Sequence, residues 1–578
     1  MIHAQVSQPN SGDGSAPPAA LVSIHGVVKN AATGEPLARA LVSIESEPGK
    51  AALTDIDGRF EISGVPAAST VPVDLTKPGF EDASGAGGGS GIWASNHSMP
   101  HPVTVGADMP DLEFAMRPLN AIRGQIELST GEPGEGFRVE LFKQSVQDGR
   151  LLWRVVGNTP TNADGAFRFG GLSDGVYTVA TQPSIDGGGG GFVDLAGKQP
   201  AVRTGYPRTF YPDVRSLSGA GQIHVSAGQA AQANFMLRQQ QFHVVQAAVS
   251  GPGVGGRTGL PGAVISTSGS ATTIMSSGFD SEVLDARQHE SAYRAEYDQR
   301  ANLMQALLPD GDYILRVSAF GPSKPFLNSS GGIVTEDKNF LAGQTEISIN
   351  GHAITNLRIA LGPESSNALN VLVNRTGTQV PQQQNATGLF VTATLAGPDA
   401  ADPMSTQFAQ GSVPATLETQ PLAPGSYWLH TSITQAGLCE SSFTAGGANL
   451  AREPLLVAAN GSTAPLTLTL RDDCASLRVT LPRISSSATG ELPMVYVYVV
   501  PDFDSTAQVR QNVLQSVYAK SVVIDHLAPG DYHVYTLSTP ADLPYRDPDA
   551  MAALNLQGQA VTLSPGASAD LLLEVPAP

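Results

Sequence analysis

One short pattern recurs along the chain and constrains its fold more than any other feature. Leu172-Ser173-Asp174-Gly175-Val176-Tyr177, Leu308-Pro309-Asp310-Gly311-Asp312-Tyr313, Leu422-Ala423-Pro424-Gly425-Ser426-Tyr427 and Leu527-Ala528-Pro529-Gly530-Asp531-Tyr532 each run from a leucine through a turn to a tyrosine. Proline presets φ at about −65°, glycine takes φ values that other residues avoid, and alternation beyond the tyrosine suits a half-buried strand. The ring enters a core while the hydroxyl reaches backbone at its edge. A degenerate copy, Gly64-Val65-Pro66-Ala67, precedes Val71-Pro72-Val73-Asp74-Leu75. The four tyrosines stand 136, 114 and 105 residues apart, so one unit repeats about five times.

Composition decides what the unit is made of. Charged residues are only 15% of the 578, with 62 Gly and 42 Pro. Helices carry more Lys, Glu and Arg on their wet faces, so short strands joined by Gly/Pro turns fit better. A hydrophobic share of 41% excludes wholesale disorder. The net charge of −19 offers no basic face to nucleic acid. No apolar run approaches the ~18 residues that cross a bilayer as a helix, so the chain is not expected to span a membrane. Met1–Gln5 lacks the charged and apolar segments of a signal peptide, and the Gly/Ser/Pro-rich stretch after it reads as a mature secreted N-terminus or a linker.

The expected organisation is a disordered lead over 1–20, then five β-sandwiches over 21–118, 119–238, 239–362, 363–471 and 472–578. The third is the most divergent. Its charged stretch 281–300 reads as strands plus a loop, with a short helix as the alternative. Short junctions predict a semi-rigid rod.

The first unit also carries Gly26-Val27-Val28, Thr33-Gly34-Glu35-Pro36-Leu37, Ala40-Leu41-Val42-Ser43-Ile44, Asp57-Gly58-Arg59-Phe60 and Lys77-Pro78-Gly79-Phe80. Together these resemble the carboxypeptidase regulatory-like family of transthyretin-like sandwiches. In later units the resemblance shrinks to the corner and the closing strand. It implies an all-β tandem array of about five Ig-like/transthyretin-like domains, of the kind carried by large secreted or envelope-associated bacterial proteins. The same fold group includes starch-binding-type sandwiches, so carbohydrate is the ligand class it suggests.

Signs of catalysis are absent from the sequence pattern. The family's namesake enzymes hold zinc with His-x-x-Glu and a distant His, and no His here is followed by Glu at that spacing. His97 and His101 are separated by Pro100, which forbids a helix aligning them. Gly88-Gly89-Ser90-Gly91-Ile92 lacks the closing glycine of a nucleophile elbow, and Asp55-Ile56-Asp57-Gly58 lacks the distal Glu of a calcium loop. The chain is therefore read as a non-enzyme with no metal and no cofactor.

Aromatic residues are the candidate ligand contacts: Trp93 in a Gly-rich loop, Tyr206, Phe210 and Tyr211 in a Pro-flanked insertion, and Trp428 beside the corner Tyr427. Trp428 faces away from Tyr427 across the strand, so it either binds ligand or covers a neighbouring unit. Cys439 and Cys474 flank the boundary between the fourth and fifth units. They read as a disulfide staple in an oxidising compartment, the alternative being two separate buried thiols. The expected role is a secreted or cell-envelope scaffold that contacts polysaccharide or mediates adhesion. The alternative is a structural, assembly or accessory subunit engaging envelope proteins.

Overall fold

The structure is a computed structural model that describes residues 21–47, 49–67, 69–83, 100–106, 109–185, 202–251, 264–268, 271–275, 280–285, 291–298, 303–320, 325–327, 333–335, 340–363, 368–374, 388–396, 406–411, 416–420, 422, 425–434, 437–458, 462–480, 494–507, 510–515, 521–537 and 541–573. The chain divides into two compact units. One holds the described residues up to Pro118, and the other runs from Leu119 onward.

In the first unit, Leu21–Asn30 pairs antiparallel with Arg59–Pro66 on one side and parallel with Leu112–Pro118 on the other. Leu41–Ile44 pairs antiparallel with Thr70–Thr76 in the facing sheet. Ile24, Val28, Val42, Ile44, Val73 and Phe114 fill the space between the sheets. The alternating burial of Arg59–Pro66 is what a period of two produces when one sheet face is buried.

The second unit repeats this topology four times. The opening strands are Asn120–Leu128, Gln240–Ser250, Ala368–Asn374 and Ala475–Thr480. Each lies between an antiparallel partner that leads into the tyrosine corner and a parallel partner near the module's end. In every facing sheet the corner strand pairs antiparallel with an earlier strand: Gly175–Thr181 with Arg138–Gln147, Gly311–Phe320 with Asp280–Asp285, Gly425–Ile433 with Leu389–Leu395, and Gly530–Leu537 with Met494–Pro501. Each sandwich encloses its own apolar cluster. The chain is thus an all-β tandem array of β-sandwiches, and the charged stretch near 281–300 forms strands at 280–285, 291–293 and 296–298.

The corner is built alike each time. Gly175, Gly311, Gly425 and Gly530 take φ of 154°, 155°, 157° and 157°, a region that residues with a Cβ rarely enter. Tyr177, Tyr313, Tyr427 and Tyr532 are buried. The Tyr177, Tyr313 and Tyr532 hydroxyls donate to the carbonyls of Ser173, Pro309 and Ala528, at 2.9, 3.1 and 2.7 Å. A carbonyl at the rim of the core is thereby satisfied by a ring that also fills it. At the tip that superficially resembles a calcium loop, Asp55 Oδ1 instead accepts from the Asp57 and Arg59 amides at 2.9 and 2.8 Å. Asn162 holds the equivalent turn in the next module with the same pair of contacts.

Two insertions cover outer sheet faces. In the second module, Phe210 and Leu217 pack with Phe142 and Ala180 on the face opposite the main core. In the fifth, Leu543, Tyr545, Met551 and Leu556 cover Tyr496, Tyr498 and Val500. That cover includes a single short helix, Pro548–Ala553, whose Asp547 cap accepts from the Ala550 amide at 3.0 Å.

Candidate functional site

The structure separates the aromatic residues that the sequence groups as ligand contacts. Tyr206 lies in the main core of the second module against Phe137, and Phe210 is fully buried in the outer cluster. Neither presents a ring face to a ligand: Tyr206 turns into the sandwich interior, and Phe210 closes an apolar outer sheet face. Tyr211 is half-buried, with its ring edge-on to Phe235. Trp428 does face outward, but its ring is occupied: the Arg150 guanidinium sits 3.5 Å from its centroid. Trp93 lies outside the described residues. His101 is directed to Asp82 at 2.6 Å, and among the described residues no group of three His, Cys, Asp or Glu side chains could hold a metal.

The Arg150–Trp428 stack belongs to a junction that the sequence does not advertise. The hairpin of Arg138–Gln147 and Arg150–Pro160 projects from the second module. Its tip, Asp148-Gly149, has φ of 58° and 67°, the paired positive values of a tight two-residue turn. The tip reaches both the fourth and fifth modules. Arg150 donates to the Ala451 carbonyl at 3.2 Å, Asp148 meets His430, and the Arg546 amide donates to the Gly149 carbonyl at 2.8 Å. A rod of short junctions would join only neighbours. Here a module passes over the third to touch the fourth and fifth, because an 11-residue strand carries the hairpin beyond its own sandwich.

A second clamp joins the fourth and fifth modules directly. Glu440 is buried, and its carboxylate accepts from the Thr506 amide and hydroxyl, each at 2.7 Å, and from the Thr431 hydroxyl. Cys439, its neighbour in sequence, is bonded to Cys474 with the Cα atoms 5.8 Å apart.

Gly149 shows how close the tip packs. A Cβ there would lie 2.6 Å from the Tyr545 ring, at a φ that L residues avoid. Gly149→Ala is expected to lower the stability of the second unit by about 1–2 kcal/mol or more, read as a lower urea midpoint with an unchanged slope.

Electrostatics at the tip are set by burial. Burial raises the Asp148 carboxyl to about 6, against the pull of Arg546 and Arg150. Burial, then the Arg546 charge, lowers His430 to about 3. Burial, then the Arg546 charge, lowers Arg150 to about 10. His430 Nδ1 lies 3.2 Å from the Thr506 carbonyl and 3.4 Å from Arg546 Nη2, and its Nε2 faces Asp148.

The two titrations oppose each other. Asp148, raised from 3.8, contributes stability that is complete below pH 3.8 and lost as pH rises through about 6. His430, lowered from 6.5, contributes stability present above pH 6.5 and lost as pH falls through about 3. Between about pH 4 and 6 they cancel. Asp148→Asn is therefore expected to make stability fall as pH drops through this window, and His430→Gln to make it rise. Each slope should differ from the parent's by up to about 1.4 kcal/mol per pH unit, read by urea denaturation across a pH series.

Beside the tip lies a cleft of about 430 Å³. Its floor is the outer face of the fourth module's sheet, where Phe390 pairs with Ser432 and Thr392 with His430 across the ladder. Val146–Gly149 of the hairpin form one wall, and Ala541, Asp542, Leu543 and Tyr545 of the fifth module form the other. Sequence reasoning missed these residues because they are ordinary positions on separate segments, 146–149, 390–394, 430–432 and 541–545, far apart in the chain. The outward-facing alternation around Trp428 is the one local signal for them.

Comparison with known proteins supplies one family and several distant structures. Residues 23–95 match the carboxypeptidase regulatory-like domain. No curated protein matches the chain. Among solved structures, the Bacillus anthracis TIE protein is 11% identical, with 78% of this chain and 68% of that one covered and a TM-score of 0.15. The major pilin subunit of Bacillus cereus is 9% identical, with coverages of 79% and 99% and a TM-score of 0.13. A streptococcal ancillary pilin is 10% identical, with coverages of 59% and 99% and a TM-score of 0.17. At these scores the chains do not superpose as wholes, and the β-sandwich fold rests on this chain's own ladders.

Proposed function

We propose that this chain is a non-catalytic scaffold of the cell surface or the secreted space, whose sandwiches are locked together to present fixed surfaces for adhesion or for contact with polysaccharide. The observation that carries the reading is the double clamp on the fourth and fifth modules. A buried carboxylate and a disulfide fix one module to the next, and the Asp148-Gly149 tip adds a third contact. Such an arrangement holds spacing and orientation, which a scaffold needs. The cystine supports an oxidising compartment, and the net charge of −19 suits a surface that disfavours non-specific contact with acidic polymers.

The test is binding of the full chain to a glycan array and to immobilised envelope polysaccharides, with the bound polymer analysed afterwards. Retention of intact polymer is the expected result. Release of sugar or peptide fragments above a buffer control would overturn the non-catalytic reading, and a blank array would remove its carbohydrate arm.

A further inference from the structure

The cleft beside the hairpin tip has a chemistry of its own. It lies where three modules meet, the kind of place where ligand sites are commonly built, and its volume of about 430 Å³ suits one small ligand. It is closed only in the assembled second unit, because each module supplies one side.

Its lining is rich in hydroxyls and acceptors. The side-chain oxygens of Thr392 and Ser432 on the floor and of Asp542 on the wall make no hydrogen bond among the described residues, and all three residues border the cleft. Asp542 is held above the ordinary carboxyl range by burial, against the pull of Arg154, so it sits partly out of water without a hydrogen-bond donor. Phe390, half-buried on the floor, adds aromatic surface, while the Tyr545 ring is taken up by Gly149 and Arg546. No Lys or Arg borders the cleft among the described residues. Three cations stand behind the lining: Arg150 is engaged by Trp428, Asp148 and the Ala451 carbonyl, Arg154 donates to Gln147 Oε1, and Arg546 lies against His430 and the Tyr545 ring.

These features select against an anion, which would meet Asp148 and Asp542 with no opposing charge on the lining. They favour a guest that donates several hydrogen bonds and offers an apolar C–H face to an aromatic ring. We infer that this cleft binds a neutral sugar residue, with Asp542, Thr392 and Ser432 taking its hydroxyls and Phe390 lying against its ring. The inference rests on the carbohydrate arm of the proposed function and gives it a location.

The experiment is a titration of the full chain with glucose, galactose, mannose and N-acetylglucosamine, and with glucuronic acid as the anionic comparison, followed by calorimetry or ligand-observed NMR. At least one neutral sugar is expected to bind, with glucuronic acid at least about tenfold weaker. Asp542→Asn and Thr392→Val, both outside the apolar cores, are each expected to weaken the neutral sugar about tenfold while leaving the urea midpoint no lower than the parent's. Neutral sugars that bind the variants as tightly as the parent would overturn the cleft while leaving glycan binding elsewhere on the chain intact. Glucuronic acid binding as tightly as the neutral sugars would overturn the charge argument. Silence from every sugar here together with a blank glycan array would overturn both this site and the carbohydrate reading.

Discussion

Replacing Glu440 with Ala is expected to destabilise the second unit by about 3–5 kcal/mol, one of the two largest single losses anticipated in this chain. Glu440 is 4% exposed, and its carboxylate takes up four donors: the Thr506 amide, the Thr506 hydroxyl, the Thr431 hydroxyl and, at 3.5 Å, the Ser505 hydroxyl. Truncation leaves those donors buried without an acceptor, and that unmade hydrogen bonding, more than the lost attraction, sets the cost. Glu440→Gln keeps the shape and one acceptor but turns an NH2 toward a donor, so a smaller loss of about 1–2 kcal/mol is expected. Urea denaturation followed by circular dichroism measures both. An Ala variant within about 0.5 kcal/mol of the parent would show that the fourth and fifth modules are not joined through this residue.

The second large effect concerns the cystine. Cys439 and Cys474 are 35 residues apart in sequence, and the loop-closure relation for that separation gives about 4 kcal/mol of stabilisation. Reduction, or the double change Cys439→Ser with Cys474→Ser, should lower the guanidinium midpoint accordingly, and thiol titration of the unreduced protein should find no free thiol. A midpoint indifferent to reductant would sink the expectation. Because Cys439 and Glu440 adjoin and act on the same module boundary, the two losses should not add. A double-mutant cycle is expected to return an interaction energy of about 0.5–3 kcal/mol.

Much of the architecture was legible in the residues. The leucine–turn–glycine–tyrosine corner marks four modules outright, since few other residues tolerate φ near 155° and few other side chains fill a core while satisfying a carbonyl at its rim. The first module was legible from the set Thr33-Gly34-Glu35-Pro36-Leu37 and Asp57-Gly58-Arg59-Phe60, and the family match over 23–95 falls on it. The candidate site was much less legible. Tyr206 and Phe210 look like an exposed aromatic cluster in an insertion, yet both pack inward: Tyr206 enters the main core against Phe137, and Phe210 covers the outer sheet face that carries Phe142 and Ala180. The helix Pro548–Ala553 is six residues long, too short to display a helical period.

What the sequence determined by itself is everything local: alternation along a strand, the φ that a turn demands, the tyrosine that closes each corner. These depend on residues within a few positions of one another. Only the tertiary structure decided which modules touch. Asp148, His430 and Arg546 come together across 398 residues of chain because a long hairpin overreaches its own sandwich, and Trp428 is covered by Arg150 for the same reason. A contact at that separation leaves no periodic trace in one sequence, since each partner obeys only the pattern of the strand or loop it sits in.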